Sequence, residues 1–318
     1  MQVVFLVLIA LLLAVVAVGV CTFFIACTRG KQPQWLNEEE LKGTSLEKLY
    51  PYILFAHQWL SSHDVEEVTT QSRDGLKLHA RWVPAENPKG TILLAHGYKS
   101  TPYIDFSKVL DVYHRLGMNM LIPDQRCHGK SEGKFITFGV KEWQDMCCWV
   151  NYHNTHFGQY PMVLSGLSMG ASTVLFMADE ELPHNVHGII ADCGFTSPYE
   201  IISKVFRSTT HLPAKPFLWV TELCARCFAG FSLKGKDTRI TLRSGKYPII
   251  LAHGLADDFV PSEMSRQAYE ACTSEKELLL VENAGHGYSF LKDQERYTRT
   301  VTAFLQKYLE VENELRSH

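Results

Sequence analysis

The sequence predicts an α/β fold, an eight-stranded, mainly parallel sheet with helices on both faces, behind one apolar segment of membrane length. Three observations carry this. Residues 65–72 and 76–83 are extended runs on either side of Arg73-Asp74-Gly75, and Asp-Gly between two such runs signals a hairpin. Six further short apolar runs (91–95, 119–123, 162–165, 188–191, 247–252 and 278–281) alternate with helix-compatible stretches, the pattern of right-handed β-α units. Several of these runs end in loops rich in Ser, His, Asp and Gly, and open parallel sheets gather function at the carboxyl ends of their strands.

The chain in order supports each element. Residues 1–28 carry no charged side chain, and 3–27 are almost wholly apolar. About 25 residues at 1.5 Å each reach roughly 37 Å, enough to cross a bilayer with some tilt. A cleaved signal peptide has a basic start and a shorter apolar core, and a buried helix of a soluble domain has a polar face; this segment has none of these features. A lipoprotein signal ending at Ile25-Ala26-Cys27 is opposed by the missing basic start and by Phe24. The expectation is an uncleaved, single-pass anchor that puts the protein in the membrane. Arg29 and Lys31 follow it, with only the terminal amine before it, so the positive-inside rule places the rest in the cytoplasm. Cys21 and Cys27 fall in the anchor. The other seven cysteines, odd in number and irregularly spaced, do not read as a disulfide framework, which agrees with a reducing compartment. A formal net charge of −3 over 318 residues gives no basis for nucleic-acid binding.

Residues 29–62 form a connector. Its Glu38-Glu39-Glu40 run, followed by Leu41, Leu46, Leu49, Ile53, Phe55 and Trp59, suggests one or two short helices on the domain or near the membrane face. The domain proper spans 63–318, with helices expected at 102–115, 139–153, 169–180, 261–272 and 292–310. One interval breaks the rhythm. About fifty residues separate the strand near Asp192 from the strand near Tyr247, with Phe195, Phe206, Phe217, Trp219, Phe228 and Phe231 among them. Ordinary connections are much shorter. A helical cap at about 195–245 is expected over the site, its aromatics shaping an apolar pocket or packing the insert on the core.

Gly166-Leu167-Ser168-Met169-Gly170 closes a strand and opens a helix, which is the nucleophile-elbow pattern. A hydroxyl needs an adjacent base, and an imidazole base needs a carboxylate behind it. Downstream, one strand runs into Asp257-Asp258 and a later one into the Gly-flanked His286. The candidates are Ser168 as nucleophile, Asp257 as orienting acid and His286 as base. Asp258 is barely separable from Asp257 on this ground, and Asp192 is a third carboxylate at a strand end. His253, before a Gly in the acid loop, reads as structural, His96 as a turn residue, and His153 and His156 as polar residues near a helix end. The backbone N–H groups of Met169 and Tyr98 are the expected oxyanion donors. Cys224-Ala225-Arg226-Cys227 has redox or zinc spacing but no matching second pair, and Cys147-Cys148 reads as packing. No cofactor and no metal is implied.

Taken together, His96-Gly97, Gly166 to Gly170, His253-Gly254-x-x-Asp257-x-x-Val260-Pro261 and Gly285-His286 resemble α/β-hydrolases of the bacterial serine-aminopeptidase-like and esterase branch. So does Asp124-Gln125-Arg126-Cys127-His128-Gly129-Lys130-Ser131-Glu132-Gly133, where Cys127 replaces a smaller residue. The resemblance runs from about residue 65 to the C-terminus, and members of this branch often carry an N-terminal anchor. It implies the α/β-hydrolase fold, serine-hydrolase chemistry, a mostly structural 124–133 loop near the pocket, and Asp257 over Asp258. The first function it suggests is hydrolysis of a carboxylic ester with a small or lipid-like acyl group. An aminopeptidase or amidase would need a cap carboxylate for a free amine, and between 195 and 246 only Glu200, Glu222 and Asp237 occur. A non-catalytic binding module on a hydrolase scaffold is the third. The motifs do not choose a substrate, because this fold carries many.

Overall fold

In the computed structural model, which describes residues 1–30, 37–44 and 47–309, the hairpin forms at Asp74-Gly75. Lys31, Leu46 and Glu310 lie outside the described residues. Strand β1 (Glu66–Gln71) pairs antiparallel with β2 (Lys77–Val83), and Gly75 supplies the turn with φ +89°. Then follow β3 (Gly90–Ala95), β4 (Met118–Asp124), β5 (Met162–Leu167), β6 (Val186–Asp192), β7 (Ile249–Gly254) and β8 (Lys276–Val281). The sheet order is β1-β2-β4-β3-β5-β6-β7-β8, parallel from β4 onward. Strands β3, β4 and β7 are buried along their whole length, as expected of apolar runs covered on both faces.

The helices are α1 (Gln2–Cys27), α2 (Glu38–Leu41), α3 (Tyr50–Ser61), α4 (Pro102–Asp105), α5 (Leu110–Arg115), α6 (Glu142–His156), α7 (Met169–Leu175), α8 (Pro198–Thr210), α9 (Ala214–Cys224), α10 (Thr238–Thr241), α11 (Glu263–Ala271), α12 (Ser289–Lys292) and α13 (Gln294–Leu309). One face of the sheet packs on α6, α7 and α11 around Trp149, Phe176 and Leu251. The other packs on α3, α5 and α13 around Tyr113, Val163 and Phe304. The connector helix α3 therefore belongs to the domain core through Ala56, Trp59 and Leu60 rather than to the membrane face.

Two expectations change. The helix expected at 102–115 is two, because Asp105 and Lys108 turn inward to bond other loops: Asp105 accepts from the Gly97 N–H at 2.5 Å, and Lys108 Nζ donates to the Gly287 carbonyl at 2.9 Å. Helix α7 stops at Leu175 rather than at residue 180. The Phe176 and Ala178 carbonyls beyond it accept from the Lys236 side chain (3.2 Å) and the Lys246 N–H (2.9 Å) instead of continuing the helix. His153 lies in the last turn of α6, as expected, and is fully buried, with Nε2 2.9 Å from Thr91 Oγ1.

Arg126 joins the hairpin to the 124–133 loop and to α6. Its guanidinium is buried, donates at 2.6 Å to both carboxylate oxygens of Asp145, and reaches Asp74 at 2.9 and 3.0 Å. Those bonds from Arg126 hold the Asp74 carboxyl down at about 2, against burial. A carboxylate lowered in the folded state stabilises above its unfolded value and loses that contribution as pH falls through the folded value. Asp74 is half exposed, so the gain is modest. The stability difference between wild type and Asp74→Asn, measured by denaturant titration, is expected to hold steady above about pH 5 and to shrink between about pH 4 and pH 2.

Candidate active site

The strand ends explain where the site lies. The register sets Ala95 beside Gly166, Leu167 beside Asp192 and Gly254 beside Val281, so the loops after β3, β5, β6, β7 and β8 open on one edge of the sheet. Ser168 stands between β5 and α7 with φ +56° and ψ −114°, a left-handed conformation that a non-glycine residue holds only under tertiary constraint. Two contacts supply the constraint: the Ser168 N–H donates to the Asp192 carbonyl at 2.8 Å, and a Cβ on Gly170 would land on the Ala95 carbonyl. Strand and helix can therefore approach only with glycine there.

Ser168, His286 and Asp257 lie in one hydrogen-bonded row. Ser168 Oγ is 2.9 Å from His286 Nε2, and His286 Nδ1 is 2.7 Å from Asp257 Oδ2. With the proton on Nδ1, the ring donates to Asp257 and accepts from the serine hydroxyl. Asp257 Oδ1 accepts from the backbone N–H groups of Phe259 (3.0 Å) and Val260 (2.8 Å). Burial opposes its charge, but hydrogen bonds from His253 and His286 and the Val260 N–H together hold the carboxyl well below the usual carboxylate range. Asp258 is exposed and lies outside this row, and Asp192 is bonded to Ser289 Oγ at 2.9 Å.

Of three supports around the row, sequence reasoning read His253 as structural and missed the other two. Buried His253 has Nε2 3.2 Å from Asp257 Oδ2 and 2.9 Å from the Val260 carbonyl, with Nδ1 2.7 Å from Ser265 Oγ, so it braces the acid loop from behind. The Asp105 and Lys108 pair ties the loop after β3 to the loop of His286. The Phe259 ring meets His286 edge-on at 5.0 Å. The last two leave no local sequence pattern.

The loop after β3 passes close to the serine: a Cβ on Gly97 would sit 3.4 Å from Ser168 Cβ. The N–H groups on either side of Tyr98 are committed, Gly97 to Asp105 and Lys99 to His128 Nε2 at 3.0 Å. The Tyr98 N–H thus stands between two fixed neighbours. The Met169 N–H is first in α7 and has no acceptor within its own helix. His96 is a brace: buried, with Nδ1 2.9 Å from the Gly97 carbonyl and Nε2 accepting the Gln125 N–H at 3.0 Å.

Above Ser168 is a cavity of about 450 Å³ between the cap and α1, within the size range of small-molecule sites. No charged side chain lines it among the described residues. Phe195 and Phe206 of the cap face it, Phe217 packs behind Phe206 at 5.0 Å, and Trp219 and Phe228 are exposed and outside its lining. The cap carboxylates are spent elsewhere. Glu200 and Asp237 pair with Arg239 at 2.8 and 2.6 Å, and Glu222 pairs with Arg226 at 2.5 Å. Cys224 is buried and Cys227 exposed, and both are free thiols. Cys193 Sγ lies within 4.8 Å of the ligand atoms of Asp257 and His286. Burial pushes this thiol well up, with Asp192 adding to it, and a metal there would have to break the bond between Asp257 and His286.

Residues 86–222 match the family described as serine aminopeptidase, S33. With this sheet and its elbow, the chain is a hydrolase of the α/β-hydrolase superfamily. Its relatives include the uncharacterized protein YqkD of Bacillus subtilis, 27% identical over 77% of this chain and 83% of that protein. The Pyrococcus furiosus esterase Pf2001 superposes with a TM-score of 0.64 at 23% identity, over 78% of this chain and 92% of the esterase. The Pyrococcus horikoshii acylaminoacyl peptidase superposes at 0.59 and 14% identity, over 80% of this chain and 43% of the peptidase. At these identities the two structures share the fold.

Proposed function

We propose that this protein is a membrane-anchored serine hydrolase that cleaves carboxylic esters of lipid-like acyl groups. In this reading Ser168 Oγ attacks the ester carbonyl while His286 Nε2 takes its proton, and Asp257 stabilises the imidazolium. The Tyr98 and Met169 N–H groups receive the oxyanion. The alcohol leaves with the proton from His286, and water activated by the same imidazole frees the acid. The observation that carries the choice of ester is the cavity on Ser168, which has an uncharged lining among the described residues while Glu200, Glu222 and Asp237 are paired with cap cations. A free-amine substrate would leave its ammonium without a counter-charge in an apolar site. Helix α1 has the length and composition to cross a bilayer, which supports single-pass anchoring, and we assign the domain to the cytoplasmic side.

A fluorophosphonate is expected to label wild type and not Ser168→Ala, and nitrophenyl esters to be turned over far faster than aminoacyl amides. Equal labelling of Ser168→Ala, or turnover of amides alone, overturns the ester-hydrolase reading. For the side of the membrane, Glu295→Cys at an exposed position of α13 reports against wild type: its added modification by an impermeant maleimide given to intact cells contradicts the cytoplasmic assignment.

A further inference from the structure

We propose that α1 is more than a tether: its second half is one wall of the acyl site, and the anchor takes part in selecting long acyl chains that enter from the bilayer. This rests on the ester-hydrolase reading above. Val18, Cys21, Thr22 and Ile25 line the cavity, and their spacing of i, i+3, i+4 and i+7 puts them on one helical face. Ile202 and Phe206 of α8 form part of the wall on the cap side.

The wall is built in. On its neighbouring face α1 packs along α9, where a Cβ on Gly19 would meet the Phe217 carbonyl at 2.8 Å, and Thr221 Oγ1 donates to the Gly19 carbonyl at 3.0 Å. The end of α1 is fastened to the site. Tyr98 Oη donates to the Ala26 carbonyl and Lys99 Nζ to the Ile25 carbonyl, both at 2.8 Å. Arg29 then donates to the carbonyls of Cys127 (2.9 Å) and Gly129 (3.0 Å). The loop that carries an oxyanion donor thus also holds the anchor.

The lining on α1 runs from Ala26, next to Tyr98, back to Ala17, about 14 Å of helix at 1.5 Å per residue. The apolar run continues through the docked half to Cys27, with the first charge at Arg29, so a spanning α1 places that half within the bilayer. The exposed Trp219, Leu223 and Phe228 beside it give the cap an apolar surface suited to that level. The far end of the cavity then opens among lipid tails, and an acyl chain reaches Ser168 without crossing water.

The test uses the full chain in phosphatidylcholine nanodiscs. Cys21→Trp fills the cavity from the α1 side, so the ratio of kcat/KM for nitrophenyl dodecanoate to that for the butyrate is expected to fall at least about tenfold. An unchanged ratio overturns the proposal. A second measurement needs no variant. A hexadecyl fluorophosphonate with a terminal diazirine, bound to wild-type Ser168 and photolysed, is expected to cross-link residues 17–25. Cross-links only outside α1 overturn the wall and leave the hydrolase reading intact, whereas absence of Ser168 labelling overturns both.

Discussion

Asp257→Asn is expected to lower kcat by about 10⁴-fold with only a small loss of stability. The direction follows from which oxygen is free to become nitrogen. Oδ1 accepts from the Phe259 and Val260 N–H groups, and an amide NH₂ placed there would face two donors. The Asn side chain must therefore keep its oxygen at that position and turn its NH₂ towards His286. His286 Nδ1, now facing a donor, gives up its proton and the ring takes the Nε2–H tautomer, which cannot accept the proton of Ser168 Oγ. The geometry survives while the proton stands on the wrong nitrogen. His253 Nε2 faces the same amide, and its shared contact with the Val260 carbonyl limits the stability cost to about 1–2 kcal/mol. Steady-state kinetics on a nitrophenyl ester, with thermal melts of both proteins, checks both halves. Asp258→Asn is the control and should change kcat less than about twofold, because its side chain is exposed and outside the row. An Asp257→Asn enzyme within tenfold of wild type would remove Asp257 from the mechanism.

What the sequence disclosed was what local chemistry decides. Asp74-Gly75 makes a hairpin wherever two extended runs flank it, and the glycines around Ser168 are required by the approach of strand and helix. Asp257 and His286 were legible because each ends an apolar strand. The split at 106–109 was not, because the inward turn of Asp105 and Lys108 answers partners far along the chain, at Gly97 and Gly287. The burial of His153 near its helix end was not legible for the same reason: its partner is Thr91 on another element. The docking of α1 was least legible. A helix apolar all round has no polar face, so periodicity cannot say which side meets protein and which meets lipid. Gly19 was the one local mark of close packing, and a glycine in a membrane-length helix is too ordinary to read alone.

The largest effect on stability is expected at a site remote from the chemistry. Asp145→Ala leaves the buried Arg126 guanidinium with the half-exposed Asp74 as its remaining carboxylate partner, and breaking a buried pair in this way typically costs about 3–5 kcal/mol. For a domain of this size the melting temperature should fall by on the order of 10 °C. The loss comes from an uncompensated buried charge rather than from any net strength of the pair. Replacing both partners by apolar residues of similar volume, as Arg126→Met with Asp145→Leu, should therefore recover most of it. That comparison also separates stability from function. Arg126 lends its carbonyl to His128 Nδ1 at 2.9 Å, and His128 Nε2 holds the Lys99 N–H beside Tyr98, so Arg126 takes part in the link to the proposed oxyanion loop through its backbone alone. The double variant keeps that backbone path and loses only the charges. It should label with fluorophosphonate at a rate close to wild type even where its melt is lower. A double variant that melts like wild type but labels much more slowly would mean that the guanidinium itself, and not the loop it anchors, sets the position of the proposed oxyanion donors.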